Sequence, residues 1–329
     1  MSLNRLIGCI LGIVAVASNG DAQSGSPPAR PFIVVANQRS GVATLVELSS
    51  GRVSHVDVDA RPHEVAVSPD ARVAVLTVPS EMMRASRKVI VLDLSTSRVV
   101  RTIDIGDFKG PHGVAFVSDS VALVGTLSGT SVVYLNVRNG RVLRSIDALP
   151  ENPYVIKLTA TGRGYVSSPH SSKVTELDVA AGRVTRTIDI PDDPAGIAVS
   201  ADGKELYAAV WRQNAGGGIA IFDLENGVVA TRLPATQPRR ITTTADGKSV
   251  VVSDRDHLRI VDRASRAVRS VVLGNNAGGS GVACTPDSAL CYVALSEAGE
   301  IVEVDLNSAK VLRRFAAQKG VDGVAFVPR

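Results

Sequence analysis

Pro62-His63-Glu64-Val65-Ala66-Val67-Ser68-Pro69-Asp70 decides the fold, because its pattern returns along the chain. It recurs as Pro111-His112-Gly113-Val114-Ala115-Phe116, Pro153-Tyr154-Val155-Ile156, Pro194-Ala195-Gly196-Ile197-Ala198-Val199, Pro238-Arg239-Arg240-Ile241, Gly279-Ser280-Gly281-Val282-Ala283 and Val321-Asp322-Gly323-Val324-Ala325-Phe326. The aligned apolar residues 65, 114, 156, 197, 241, 282 and 324 stand 49, 42, 41, 44, 41 and 42 residues apart. After the first apolar run each unit carries a Pro-Asp-Gly-like turn, a second apolar run, a loop, and Asp-Leu and Arg-Val segments. A period of roughly 40–45 residues with four strand-like segments per unit is the mark of a β-propeller.

Punctuation divides each unit into strands. In the unit opening at Pro194, a strand over Gly196–Ser200 turns at Ala201-Asp202-Gly203 and returns over Leu206–Val210. A second hairpin, Ile219–Leu224 and Val228–Leu233, turns at Glu225-Asn226-Gly227. Asp-Gly and Asn-Gly accept the positive φ that such turns demand. Runs such as Val89-Ile90-Val91-Leu92 are apolar without alternation, which suits a sheet covered on both faces by its neighbours. The C-terminus supplies only one strand of a unit, Gly323–Val327, and Phe32–Ala36, Ala43–Leu48 and Val53–Val58 supply the missing three. Six full repeats and this composite predict an all-β, seven-bladed ring of four-stranded antiparallel blades over residues 31–329. Pairing the two chain ends also removes the open edge.

The Pro-x-Gly-Val-Ala-x-Ser-x-Asp-Gly turn, followed by an apolar strand and an Asp-Leu-x-x-Gly-x-Val hairpin, resembles the YVTN-type β-propeller repeat family. The strand that names that family is blurred here to Phe32–Asn37, Leu206–Val210 and Cys291–Leu295. The resemblance implies a secreted or periplasmic propeller. It implies no single activity, since such relatives include surface proteins, binding proteins, heavy subunits of periplasmic amine dehydrogenases and lactone hydrolases.

Residues 1–22 read as a removable export signal: Arg5 supplies the positive end, Leu6 to Ala17 is apolar, and Ala22 precedes the expected cut. That run is shorter than the ~20 residues needed to span a bilayer, so no stable membrane insertion is expected after cleavage. Leu6-Ile7-Gly8-Cys9 mimics a lipoprotein box but sits too early in the apolar run. Residues 23–30 form a polar leader. The chain of 329 residues is 45% hydrophobic with a net charge of +4, and no block of Lys or Arg forms the basic face that nucleic-acid binding requires.

The alignment places one residue per blade at the channel mouth: His63, His112, Tyr154, Ala195, Arg239, Ser280 and Asp322, with Glu64 and Arg240 next in line. The same face carries two longer loops, Pro79–Arg87 with Met82 and Met83, and Trp211–Gly218 with the only Trp and Arg212. Long loops on a rigid scaffold are where binding concentrates. A bland reading competes, in which His63 and His112 merely bond neighbouring backbone. Metal ligation needs three or four converging donors; two His and one Asp spread over adjacent blades lead to no expected metal.

Other chemistry is absent from the sequence. There is no Gly-x-Ser-x-Gly elbow, phosphate loop, HExxH or Cys-x-x-Cys-His, and His170, His55 and His257 lack linked partners, so neither catalytic residues nor a cofactor are assigned. Cys284 and Cys291 flank a turn: two residues at its tip set them opposite for a disulfide, whereas the three-residue turn that Pro286 favours places Cys284 opposite Leu290. The leading expectation is a non-catalytic module holding a protein partner or small ligand on the upper face. A lactonase-like hydrolase using His63 or His112 beside Arg239 or Arg240, and a subunit of a periplasmic redox complex, stand as alternatives.

Overall fold

Two neighbours claim each buried strand, and alternate residues divide between them. In the strand Val73–Glu81, Ala74 and Leu76 pack toward Val34 and Ala43, while Val75 packs toward Ala122 and Val124 on the other side. Both faces are therefore dry, and the sequence needs no polar alternation there. The same division gives seven apolar clusters, each shared by two adjacent sheets, the last joining Tyr292, Ile301 and Phe315 to Ile33 and Val35. The core is a ring of interfaces with no single centre.

The computed structural model describes residues 31–212 and 216–328; the export signal and leader expected over 1–30 lie outside the described residues. Seven four-stranded antiparallel sheets form the ring. Blade 1 combines Val321–Val327 with Phe32–Asn37, Val42–Glu47 and Val53–Asp57. Blades 2 to 7 then occupy 64–104, 111–146, 156–189, 193–235, 238–272 and 279–316 in turn. The closure runs in antiparallel register, with Phe32 opposite Val327 and Val34 opposite Ala325, as the repeat spacing predicts. Among the described residues no helix is long and apolar enough to cross a membrane.

The recurrent turn explains its own composition. Ser68, Ser200 and Thr244 each donate a hydroxyl to the aspartate two residues on, at 2.6 Å, and Thr285 does the same to Asp287. That aspartate then accepts the backbone N–H two residues further along, from Arg72, Lys204, Lys248 and Ala289. The intervening residue is left-handed, at φ +69° for Gly203 and +54° for Ala71. Hydroxyl, carboxylate and a residue tolerant of positive φ are what the turn requires.

In blade 7 this turn spans 285–290 and sets Cys284 directly opposite Cys291, and the two form a disulfide. Thr285 makes that register possible: its hydroxyl oxygen takes the N–H of Leu290, while its own N–H bonds the Leu290 carbonyl. Pro286 is accommodated inside the longer turn without shifting the strands.

Candidate functional site

The inner strands do not enter the channel as smooth ladders. Their registers shift just after the Pro-like position, between Pro111 and Val114, Pro194 and Gly196, Pro238 and Ile241, and Gly279 and Val282. The irregularity turns the two residues there toward the channel mouth and the neighbouring blade. Hydroxyls from second strands latch that backbone: Thr77 donates to the His112 carbonyl at 2.6 Å, Ser167 to that of Ala195 and Ser253 to that of Ser280. Glycine follows at several of these positions because a side chain has no room. A Cβ on Gly281 would stand 2.1 Å from the Asp322 carbonyl oxygen, and one on Gly113 2.3 Å from that of Tyr154.

The side chains just before these positions meet at the mouth, and Glu64 and Arg240 stand where other units have glycine. His63 Nδ1 lies 2.8 Å from Asp322 Oδ2, an ion pair across the closure that is not aligned as an N–H bond. Ser280 donates its hydroxyl to the other oxygen of Asp322. The His63 and His112 rings are 4.6 Å apart, and His112 stacks on Tyr154 at 4.0 Å. Arg240 lies over the Tyr154 ring at 5.3 Å and pairs with Glu64. Because Arg240 belongs to blade 6 and Glu64 to blade 2, this pair spans the channel and forms a floor beneath its mouth.

Burial and charge set the protonation states. His63 loses basicity to burial but gains more from Asp322 and Glu64, so its pKa is raised. His112 is pushed well below the ordinary imidazole range by burial and by the positive charges of His63 and Arg240. Burial pushes Asp322 up, yet His63, Arg240 and the Ser280 hydroxyl hold it far below the usual carboxylate range. Arg240 is raised despite burial by Glu64, Tyr154 and Asp322.

His112 Nδ1 sits 2.9 Å from the Tyr154 carbonyl, which can only accept, so Nδ1 carries the proton and Nε2 the lone pair. That Nε2 is buried without a hydrogen-bond partner among the described residues. Serine, carboxylate and imidazole are adjacent, but the Ser280 hydroxyl bonds Asp322, held as a weak base by its lowered pKa, and not an imidazole, so the arrangement is not that of a catalytic triad.

Above the floor opens a pocket of about 280 Å³, lined by His63, Tyr154, Ala195, Trp211, Gln237, Pro238, Arg239, Arg240 and Asp322. Asp254 holds its rim by accepting the N–H groups of Thr236 and Gln237 while pairing with Arg259. Thus His63, Tyr154, Trp211, Arg239, Arg240 and Asp322 converge on one cavity, Glu64 pairs below it, and His112 lies buried beside it. Two larger depressions, of about 810 and 760 Å³, are open charged grooves between the turns of blades 4, 5 and 6, away from the mouth.

One expectation needs correction. The segments read as long loops are extensions of paired strands: Glu81 faces Arg84 around Met82-Met83, and Trp211 and Arg212 face Gly217 and Gly216. The Lys88–Glu81 ion pair at 2.9 Å and the apolar-polar succession of these residues continue the ladders past the normal blade edge. Beyond its backbone pairing, the Arg212 side chain lies outside the described residues. Separately, ligand atoms of His63, Glu64 and His112 lie within 4.8 Å of one another. The carboxylate in this group is Glu64, and not the Asp322 that the repeat alignment offers.

Lys157 was also missed. It lines the narrow channel below the floor with Glu64 and Arg240, and burial lowers its pKa against the pull of Glu64. The signal was present: aligned residues 66, 115, 198, 283 and 325 are all Ala, and Lys stands at 157.

The chain matches no family model. It is 34% identical over 96 residues to the YncE proteins of Salmonella typhi and Salmonella typhimurium, both described as uncharacterized. That match spans 29% of this chain and 25% of theirs. Among solved structures, Kuenenia stuttgartiensis hydrazine synthase superposes with a TM-score of 0.69 at 17% identity, over 79% of this chain and 87% of that one. A functionally unknown protein from Desulfotomaculum acetoxidans gives 0.73 at 14% identity, over 91% and 99%. At such identities the likeness establishes the seven-bladed propeller and carries no activity with it.

Proposed function

We propose that this chain is an exported, non-catalytic binding module that receives a small ligand, or the tip of a protein partner, at the channel mouth. The observation carrying this reading is the pocket of about 280 Å³ in which side chains from five blades converge. Trp211 and Tyr154 offer flat apolar surface, and Arg239 at the rim with His63 beside it offers positive charge. These groups fit a compact ligand with a planar part and an anionic end. The Cys284–Cys291 disulfide supports an oxidising compartment, as the expected export signal does. The hydrolase alternative has less support, because His63, which lines the pocket beside Arg239 and Arg240, is paired with Asp322 and held toward its protonated form, and His112 is buried.

Trp211 is the only Trp in the chain, so its emission reports on this pocket alone. Titration with planar carboxylates should produce a saturable change in emission, and calorimetry should show that Arg239→Ala weakens the same ligands. If no compound moves the emission, and Trp211→Ala and Arg239→Ala leave the affinity of an identified partner unchanged, the mouth is not where this protein binds.

A further inference from the structure

We infer that His63, Glu64 and His112 form a binding site for one first-row divalent metal ion, of the Zn²⁺ or Cu²⁺ kind, at the base of the mouth pocket. Their donor atoms lie within 4.8 Å of one another on two adjacent blades. The second observation is independent of that clustering. His112 is 1% exposed, and its Nε2 is buried without any hydrogen-bond partner among the described residues. An imidazole nitrogen left unpaired in a dry site is costly unless something accepts its lone pair.

The surroundings have the form that metal-binding histidines require. A ligating imidazole normally gives its other nitrogen to a carbonyl or carboxylate, which fixes the ring and the tautomer. His112 Nδ1 is tied to the Tyr154 carbonyl at 2.9 Å, and His63 Nδ1 to Asp322, itself anchored by Ser280. No protein hydrogen bond occupies Nε2 of either ring among the described residues. Glu64 pairs with Arg240 through Oε1 only, which leaves its second oxygen. Arg240 and Lys157 bring positive charge nearby, opposed by Glu64 and Asp322. Two imidazoles and one carboxylate suit Zn²⁺, Cu²⁺ or Ni²⁺ and not Mg²⁺ or Ca²⁺. Three protein donors would leave at least one further coordination position for a water or other small donor. The metal site stands independently of what the pocket binds.

The test uses the full chain without an affinity tag, stripped with EDTA and titrated separately with ZnCl₂ and MgCl₂. The expected result is one Zn²⁺ per chain by equilibrium dialysis and metal analysis, reversed by EDTA, with no Mg²⁺ uptake. Cu²⁺ should give an electron paramagnetic spectrum with coupling to two imidazole nitrogens. His112→Gln should remove stoichiometric binding and leave one coupled nitrogen at most. Should that buried variant fail to fold, His63→Gln reads the same loss from the pocket side. Asp322→Asn should weaken binding roughly 10–100-fold through the orientation of His63. Absence of stoichiometric Zn²⁺ uptake by the folded parent, or uptake unchanged in a folded histidine variant, overturns the site.

Discussion

Asp322 in the last strand of the chain stands 2.8 Å from His63 at the threshold of the first complete blade, so the contact exists only because the ring closes. The two are 259 positions apart in sequence, and both are largely buried. Asp322 thereby links closure to the site, since the same carboxylate bonds Ser280 in blade 7. Removing one member of a buried charged pair leaves the other uncompensated, at a cost of about 3–5 kcal/mol. Asp322→Ala should lose stability on that scale in denaturant unfolding, whereas substitution of the exposed Asp189 should change it little.

Close approach between blades and simple backbone freedom predict different costs for glycine. Gly281→Ala forces a Cβ against the neighbouring Asp322 carbonyl and should destabilise by about 1–3 kcal/mol or more. Gly203 has positive φ but nothing within 4 Å of a new Cβ, so Gly203→Ala should cost only about 1 kcal/mol. Ala71 occupies the equivalent turn position at φ +54°, and Ala71→Gly should therefore stabilise by up to about 1 kcal/mol. Thermal and urea unfolding of the three variants should place them in that order.

Reduction of Cys284–Cys291 should lower stability without unfolding the chain. The bond closes a short loop, separation 7, and constrains the unfolded state by roughly 2–2.5 kcal/mol. Urea midpoints with and without reductant measure the effect. Labelling of the unreduced, denatured protein should find neither thiol reactive.

The ionic cluster at the foot of blades 5 and 6 gives stability a defined pH dependence. Glu205 accepts the Tyr207 hydroxyl at 2.5 Å and pairs with Arg263 at 2.8 Å and with Arg266. Burial pushes its pKa up, but those partners together lower it. Its contribution is thus present above the unfolded value of about 4.3 and lost as pH falls through the folded one. Tyr207 is pushed up to about 12, by burial first and then by Glu205. Its contribution is complete below pH of about 10 and lost as pH rises from there toward about 12. Glu205→Gln should flatten the acid limb of a stability profile, and Tyr207→Phe the alkaline limb.

The architecture was legible because a repeat fixes it many times over. The missing three strands at residues 32–58 and the single strand at 321–327 leave one blade to complete, and the structure completes it there. The site was legible in part. Counting forward from the residue that opens each unit puts His63, Tyr154 and Asp322 at the mouth, where they line the pocket, and His112 buried beside it, since residues aligned in a closed ring share one height. Which side chains touch across the ring depends on channel width and on local strand irregularities, so Glu64 meeting Arg240 left no trace in spacing. The length of Pro79–Arg87 and Trp211–Gly218 beyond the repeat suggests loops. Extra length tells how far the chain extends beyond the blade, and only cross-strand pairing turns that length into a hairpin.

The most direct test of the ring and its floor is the coupling between Glu64 and Arg240, 176 positions apart and joined across the channel. A double-mutant cycle with Glu64→Gln, Arg240→Met and the pair together should yield about 2–3 kcal/mol of coupling in urea unfolding. Each single variant should lose stability, and the double variant should lose less than the sum of the two single losses. Coupling within about 0.3 kcal/mol of zero, in the range of independent sites, would contradict a channel closed by these two side chains.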